Sequence, residues 1–196
     1  MKKTASILFT CALLCASASA QTFPLSENSW SNPEFVDRFL GSYGVLTEKE
    51  PEITAEEAEL FQTIGQMIEA NNMNGAIQTL QDATTAESSA ALDYTIGNLY
   101  LQQGNYTAGV RAYEAAIRKF PNFLRAYKNA GLAFIQMQDY ENAAEFITKS
   151  IELGNQEGDS FGLLGYCYLN MGMNESALDA YRIAGVLAPN NRDWQV

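Results

Sequence analysis

The sequence predicts an all-α fold, a solenoid of repeated helix pairs, because residues of matching size recur every 34 positions from about residue 90 onward. Within each period, two stretches with helical spacing of apolar residues are separated by a short polar turn. No segment shows the strict polar–apolar alternation of a half-buried strand. The recurring columns are Gly97, Gly131 and Gly165; Tyr100, Phe134 and Tyr168; Gly109, Ala143 and Ala177; and Tyr113, Ile147 and Tyr181.

Residues 1–20 are typical of a secretory signal peptide. Two lysines open the chain, an apolar stretch too short to span a bilayer follows, and small residues at positions 18–20 precede a cleavage site before Gln21. The alternative is a lipoprotein signal that ends at Cys15, although Leu14 before it is larger than lipoprotein peptidases prefer. We therefore expect an exported protein that resides in the periplasm, with lipid anchoring at Cys15 as the alternative.

Residues 21–53 differ in composition from the rest and are expected to form an extended arm or linker. A short apolar patch at residues 35–40 is expected to form one helical turn against the folded domain. Residues 54–86 predict a degenerate helical pair, with Thr54 and Glu57 at capping-box spacing. Terminal units of a solenoid are often atypical because one face meets solvent, so this pair is interpreted as an N-terminal cap.

Three clear repeats occupy residues 87–189, at about 90–123, 124–157 and 158–191. Pro121 and Pro189 end the second helix of the first and third repeats, and Gly154 does so in the middle repeat. We expect Asn174 to cap the final helix. Residues 190–196 predict the start of a further helix. The six helices of these repeats are predicted near 90–103, 107–119, 124–137, 141–153, 158–171 and 175–187.

The period, together with its order of small and aromatic residues, resembles the tetratricopeptide repeat, or TPR. This resemblance implies a right-handed α-solenoid in which the first helix of each repeat lines a concave groove. In that family the groove holds a peptide or a helix of a partner protein. The groove positions implied here are Tyr94, Asn98, Leu101, Gln102, Arg125, Lys128, Asn129, Leu132, Gln136, Asp159, Tyr166, Leu169 and Asn170.

One specialised form of the family binds a peptide's C-terminal carboxylate with lysine, arginine and two asparagines. Asn98 and Asn129 stand where that clamp has its asparagines, but Tyr94, Asp159 and Leu163 stand where its cations would be needed. Without those charges a free carboxylate would bind weakly. The groove instead combines aromatic, amide and aliphatic groups with an acidic end, which suits a peptide with apolar anchors and a basic residue.

A second resemblance covers most of the chain after the leader. Residues 32–44, 88–94, 120–123 and 162–168 are similar to exported bacterial TPR proteins that accompany TonB-type energy-transduction systems. In that group the repeats assist a proton-driven inner-membrane complex from the periplasmic side. The resemblance implies an envelope or inner-membrane complex as the partner.

The composition excludes most catalytic chemistry. The chain has no histidine, which removes histidine-based catalysis and histidine-ligated zinc. No glycine-rich phosphate loop or calcium loop is present, so we expect no cofactor and no metal site. The net charge of −11 argues against nucleic acid, whose phosphates require a basic surface. Cys167, the single cysteine after the leader, is interpreted as a small buried apolar residue.

Three functions remain. The first is a non-catalytic scaffold that binds a segment of a partner protein in the groove. The second is a structural adaptor that acts by self-assembly or end-to-end docking, with Trp194 at the C-terminal end as the residue that would dock. An enzyme is the remote alternative.

Overall fold

The computed structural model describes residues 50–194, which form an array of paired α-helices without strands. The predicted signal peptide, the predicted arm up to residue 49 with its helical turn at residues 35–40, and the last two residues lie outside the described residues. The all-α solenoid of repeated helix pairs predicted from the period is confirmed. The helices are α1 (Ala55–Glu69), α2 (Met73–Ala83), α3 (Ala90–Gln102), α4 (Tyr106–Lys119), α5 (Leu124–Gln136), α6 (Tyr140–Glu152), α7 (Gly158–Asn170) and α8 (Asn174–Leu187), followed by a short 3₁₀ turn at Arg192–Trp194.

The helix α1 begins at the capping box expected from the sequence. The side chain of Thr54 accepts from the backbone N–H of Glu57, and the Glu57 carboxylate accepts from the backbone N–H of Thr54. A second oxygen of Glu57 accepts from the backbone N–H of Ser89, just before α3, at 2.7 Å. The cap of α1 therefore also ties the degenerate pair to the first clear repeat.

Each repeat reverses direction through one residue in the left-handed backbone region, Gly104, Gln138 and Gly172 in turn. The next helix then begins after an N-cap residue with nearly the same backbone angles in all three repeats. Asn105 and Asp139 accept a backbone hydrogen bond at this position, but Met173 has no side chain that can accept one. The prediction that Asn174 caps α8 is wrong, because the repeat register makes it the first helical residue.

The glycine column allows the two helices of a repeat to approach closely. A Cβ atom added to Gly97 would lie 2.5 Å from the ring of Tyr113, and one added to Gly131 would lie 2.6 Å from Ile147. Tyr113 and Ile147 are fully buried as a result. Both columns are therefore packing positions, as the sequence suggested.

The middle repeat ends without proline and uses a buried amide instead. Gly154 adopts a φ of 98°, and the buried Asn155 side chain donates to the hydroxyls of Ser150 and Ser160. The Asn155 carbonyl oxygen accepts from the backbone N–H of Glu157 at 3.1 Å. These bonds link the end of α6 to the start of α7.

Cys167 is fully buried in α7 within the core, as the sequence predicted. Burial raises the pKa of its thiol to about 11, which disfavours the reactive thiolate. Among residues 50–194, no helix has both the length and the apolar character needed to cross a bilayer. The same residues contain no cluster of three side chains suited to hold a metal ion.

Candidate partner-binding groove

The first helices of the three clear repeats, α3, α5 and α7, carry all the predicted groove residues, and α3 and α5 are in direct contact. One second helix, α4 or α6, separates each of these first helices from the next one along the chain. The groove therefore divides into a polar centre on α3 and α5, two cations on α5, and an exposed segment on α7.

The polar centre is a hydrogen-bonded row of amides and hydroxyls. The side-chain N–H groups of Asn129 donate to the hydroxyl of Tyr94 at 3.0 Å and to the carbonyl oxygen of Asn98 at 2.8 Å. The hydroxyl of Tyr113 donates to the same Asn98 oxygen at 2.8 Å. These bonds hold both amides in fixed orientations. Burial raises the pKa of Tyr113 far above its ordinary value, so its hydroxyl stays a neutral donor.

Two polar atoms of this row face no partner. Within residues 50–194, neither the amide nitrogen of Asn98 nor the amide oxygen of Asn129 has a hydrogen-bond partner. Both side chains are half-buried and neither atom is fully enclosed, so water reaches these atoms in the free chain and a bound polar group can replace it. One free donor and one free acceptor, on two amides that are bonded to each other, are the groups that the C=O and N–H of a peptide backbone require.

Both cations of the groove are already paired with acids of the same chain. The Arg125 guanidinium lies 5.2 Å from the centre of the Tyr94 ring and forms an ion pair with Glu50. That hydrogen bond to Glu50 is the main reason that the pKa of Arg125 is raised. Lys128 pairs with Glu157. Arg125 and Lys128 therefore do not converge on an open position where a free carboxylate could bind.

The α7 part of the groove is the most exposed. The Tyr166 ring is 40% exposed and meets the edge of the Tyr140 ring at 5.8 Å, and Leu169 is 51% exposed. The Asn170 side chain donates to the backbone carbonyl of Tyr166 at 2.8 Å, within its own helix. Tyr166 and Leu169 together offer an apolar surface that water covers in the free chain.

Asp159, predicted as the acidic end of the groove, is occupied by the C-terminal turn. Its Oδ1 accepts from the indole N–H of Trp194 at 2.7 Å and from the side chain of Asn191 at 2.8 Å. These bonds, that from Trp194 first, lower the pKa of Asp159. The Trp194 ring stacks on Tyr181 and lies directly over Gly162. Trp194 thus packs on its own chain, and docking through this residue stays a prediction.

The remaining predicted positions surround these centres. Leu101 packs partly into the core beside Val110 and Phe134, so only part of its side chain reaches the groove. Leu132 is half-buried, while Gln102 and Gln136 are exposed at the last residue of α3 and of α5. These four residues lie on α3 and α5 and form no hydrogen bond with the polar row, so their place in the groove stays a prediction.

Four residues that the sequence did not single out as groove residues take part in it. Tyr113 had been assigned only to packing, and Phe123 lies beneath both Tyr94 and Arg125. Glu50 and Glu157 neutralise the two cations. Phe123 directly precedes α5, and this position in the sequence is the signal that could have placed it near Arg125. The partners of the cations are 75 and 29 residues away, and sequence spacing does not reveal such pairs.

Comparison with known proteins agrees with this fold. Residues 94–160 match the model of the tetratricopeptide repeat family. General transcriptional corepressor trfA of Dictyostelium discoideum is 30% identical over 90 residues, which are 46% of this chain and 6% of that protein. The Hsp70-Hsp90 organising protein of Plasmodium falciparum (isolate 3D7) is 30% identical over 103 residues, 49% of this chain and 18% of that protein. Small glutamine-rich tetratricopeptide repeat-containing protein 2 of Mycosarcoma maydis is 25% identical over 95 residues, 48% of this chain and 27% of that protein.

This chain thus spans between 6% and 27% of the length of these relatives. Among solved structures, MamA 41-end from Desulfovibrio magneticus RS-1 superposes with a TM-score of 0.66 at 16% identity, over 73% of this chain and 81% of that chain. A crystal structure of MamA superposes with a TM-score of 0.61 at 19% identity, over 64% of this chain and 74% of that chain. At these identities the similarity shows the fold and does not identify a partner.

Proposed function

We propose that this solenoid of tetratricopeptide repeats is a non-catalytic scaffold that binds an extended segment of a partner protein in the groove of α3, α5 and α7. The observation that carries the proposal is the unpaired donor on Asn98 beside the unpaired acceptor on Asn129. A peptide backbone satisfies both atoms at once, whatever its sequence. Tyr166 and Leu169 would then receive an apolar side chain further along the segment.

The charge of the groove supports a partner segment that is neutral or basic. Arg125 and Lys128 are neutralised by Glu50 and Glu157, so an acidic segment would have to displace these acids. The acid of each pair is about half exposed or more, 47% for Glu50 and 60% for Glu157, so each pair is individually weak. The rest of the chain is strongly acidic, with 23 acidic against 12 basic residues. Association with a basic segment is accordingly favoured over long range.

A photo-crosslinking amino acid at Leu169 tests this proposal in cells. We expect a defined adduct with a partner protein. Asn98→Ala and Asn129→Ala should each reduce the yield of this adduct about fivefold, because each removes one hydrogen bond of about 1 kcal/mol. The matched control is the same crosslinker at Ile183 on α8, which is similarly exposed but lies outside the groove. An adduct that forms equally at both positions, or that ignores both asparagine substitutions, would contradict groove binding.

We also propose that the chain is exported to the periplasm and serves an envelope complex of the TonB energy-transduction type. The leader at residues 1–20 and the resemblance of residues 32–44 support this proposal. Expression in a bacterial host followed by intact-mass measurement distinguishes the two forms of export. Cleavage before Gln21 gives an unmodified mature chain, whereas lipidation would leave Cys15 at the N-terminus with added acyl mass. An uncleaved chain in the cytoplasm would contradict both forms.

A second candidate function, assembly through the C-terminal end, is supported by the outer face of α8. Val186 is 80% exposed and Leu187 is 46% exposed. The residues one and two repeats earlier than Val186 are Glu152 and Arg118, so the earlier second helices carry charges at this position. Under this alternative, Val186→Lys would convert a concentration-dependent oligomer into a monomer in sedimentation velocity. A wild-type chain that is monomeric at high concentration would exclude it.

A further inference from the structure

A cleft of about 850 Å³ lies on the side of the stack opposite the groove, between the second helices α4 and α6. We call it the outer cleft. Its floor consists of Ile117, Tyr127, Phe146 and Tyr168, and Glu114 and Glu145 stand at its rim. Tyr127 belongs to the same helix as the groove residues Arg125 and Asn129 but is two positions from each. Two positions correspond to about 200° of helical rotation, so Tyr127 points away from the groove.

Two residues of this cleft, Tyr127 and Phe146, depart from the repeat pattern. Phe146 occupies a column that holds Ala112 and Ala180 in the other repeats. Its ring packs against Phe134 at 5.1 Å and against Tyr127 at 5.7 Å, which fills the space between α5 and α6 with aromatic rings. The bulk of Phe146 gives the cleft an aromatic wall that an alanine could not provide.

The equivalent position one repeat earlier, between α2 and α4, holds a smaller cleft of about 380 Å³ with different chemistry. There Asp93 replaces Tyr127, and its carboxylate is held by Lys119 at 2.7 Å. Arg111 replaces Glu145 at the rim. In the earlier cleft the carboxylate is thus neutralised by an internal ion pair, and the outer cleft differs from it in both floor and rim.

The outer cleft contains polar groups that have no partner among residues 50–194 and are open to solvent. Within the described part of the chain, the Tyr127 hydroxyl has no hydrogen-bond partner, and burial raises its pKa. Neither Glu114 nor Glu145 forms an ion pair among residues 50–194, whereas Lys149 at the rim is neutralised by Glu152 at 3.4 Å. Arg118 is the remaining cation at the rim. The uncompensated charge next to the aromatic floor is therefore mainly negative, in a chain of net charge −11.

We propose that the outer cleft is a second binding site, which holds a segment of a partner protein. An aromatic or aliphatic side chain of that segment packs against Tyr127 and Phe146. A lysine or arginine of the same segment lies next to Glu114 and Glu145. The aromatic floor supplies the apolar contact, and the carboxylates supply the charge-assisted hydrogen bonds to the cation. This proposal depends on the proposed scaffold function in one respect, namely that the bound molecule is a protein. With sites on two opposite faces, the solenoid would connect two partners.

Phenethylamine, an aromatic ring with an ammonium group, is the minimal probe of this chemistry, and phenylacetate is its matched control of opposite charge. Titrations of the full chain, followed by backbone amide NMR, should give saturable shifts at Ile117, Tyr127 and Phe146 with phenethylamine. We expect phenylacetate to bind at least about fivefold more weakly, the effect of one exposed charge interaction of about 1 kcal/mol. Glu145→Lys should abolish this preference without affecting folding, because Glu145 is exposed. Phe146→Ala should remove the shifts, whereas the groove variant Asn129→Ala should leave them unchanged.

Equal shifts from the two probes, or phenethylamine shifts that persist in Glu145→Lys, would overturn the assignment of the rim.

A photo-crosslinker at Thr148 then tests the occupant in cells. An adduct lost in Glu145→Lys and retained in Asn129→Ala supports a partner specific to the outer cleft. An adduct lost only in Asn129→Ala would mean that the groove ligand reaches this face, which overturns a second site but leaves the groove proposal intact. Phenethylamine binding without a protein adduct would assign the cleft to a small amphipathic cation and overturn a protein occupant.

Discussion

The contacts of single residues distinguish two kinds of equivalent position in the 34-residue repeat. Positions that keep their size class, such as Gly97 with Tyr113 and Gly131 with Ile147, are matched across the two helices of one repeat. Positions that change from repeat to repeat, such as Asp93 and Tyr127, line clefts. Packing therefore explains the regular columns, and binding has to be sought among the irregular ones.

Gly97 provides a direct test of this packing. Gly97→Ala places a Cβ atom 2.5 Å from the ring of Tyr113, which is fully buried and cannot withdraw without disturbing its hydrogen bond to Asn98. We expect a loss of about 1–3 kcal/mol in the free energy of unfolding, the usual cost of an overpacked core. Urea denaturation monitored by circular dichroism measures it.

Gly65→Ala is the matched control, because a Cβ atom at Gly65 in α1 would meet nothing within 4 Å. There the substitution should stabilise the chain by about 0.5–1 kcal/mol through the better helix propensity of alanine. If both substitutions stabilise the chain equally, the close contact between α3 and Tyr113 is not a constraint on the glycine column.

The sequence predicted the groove residues less completely than the packing residues. Asn98 and Asn129 could be placed on one face because helical spacing determines which way a side chain points. Their shared partner Tyr113 could not be predicted, because it belongs to a different helix and its column had a sufficient packing explanation. The ion pairs of Arg125 and Lys128 depend on how residues 29 and 75 positions away are arranged in space, which spacing along a helix does not determine.

At the scale of helices, most boundaries could be predicted within one or two residues. Polar turns and helix-stopping residues, such as Gly104, Pro121 and Gly172, mark them in the sequence. The cap of α8 was the exception. Asparagine is a good capping residue, which favoured Asn174, but the repeat register sets the N-cap one residue earlier, at Met173. In this case the architecture prevailed over the local preference.

Met173→Asp should repair this missing cap. The N-cap backbone angles at Asn105, Asp139 and Met173 agree within 12°: φ is −88°, −91° and −86°, and ψ is 69°, 76° and 64°. An aspartate at Met173 can therefore accept from the backbone as Asp139 does. We expect a gain of about 1 kcal/mol in the free energy of unfolding. Thermal melts of both proteins provide the measurement.

Met171→Asp is the control for charge and solubility. Met171 is similarly exposed, but it stands at the C-cap of α7, where the helix dipole disfavours a negative charge. This substitution should leave the melting temperature unchanged or lower it. Equal stabilisation by both aspartates would show that the loss of an exposed methionine, and not capping, is responsible.

At the scale of the molecule, residues 50–194 form a linear array in which each helix packs mainly on its chain neighbours. The period alone was enough to predict this architecture, since repeats of this length cannot bury their apolar faces without stacking. The chemistry of the two opposite faces could not be predicted in the same way. It depends on which irregular positions the stacking brings together, such as Tyr127 beside Phe146.

A linear array implies that stability differs along the chain. The end helices bury little: Ile64 is the buried residue of α1, and α8 buries only alanines. We expect native-state hydrogen exchange, read by mass spectrometry, to show the slowest amides in the middle helices α3 to α6 and faster exchange in α1 and α8. Two fully buried residues, Leu80 in α2 and Ile147 in α6, allow the coupling between repeats to be tested.

Leu80→Ala and Ile147→Ala each create a cavity that should cost about 2–5 kcal/mol locally. Because units interact only with their neighbours, Leu80→Ala should accelerate exchange in α1 to α3 and leave α7 and α8 nearly unchanged. Ile147→Ala should accelerate exchange in α5 to α7, and it should also expose α8 because that helix has no partner beyond α7 and the C-terminal turn among the described residues. If both substitutions accelerate exchange equally in all eight helices, residues 50–194 unfold as one cooperative unit and the nearest-neighbour description does not hold.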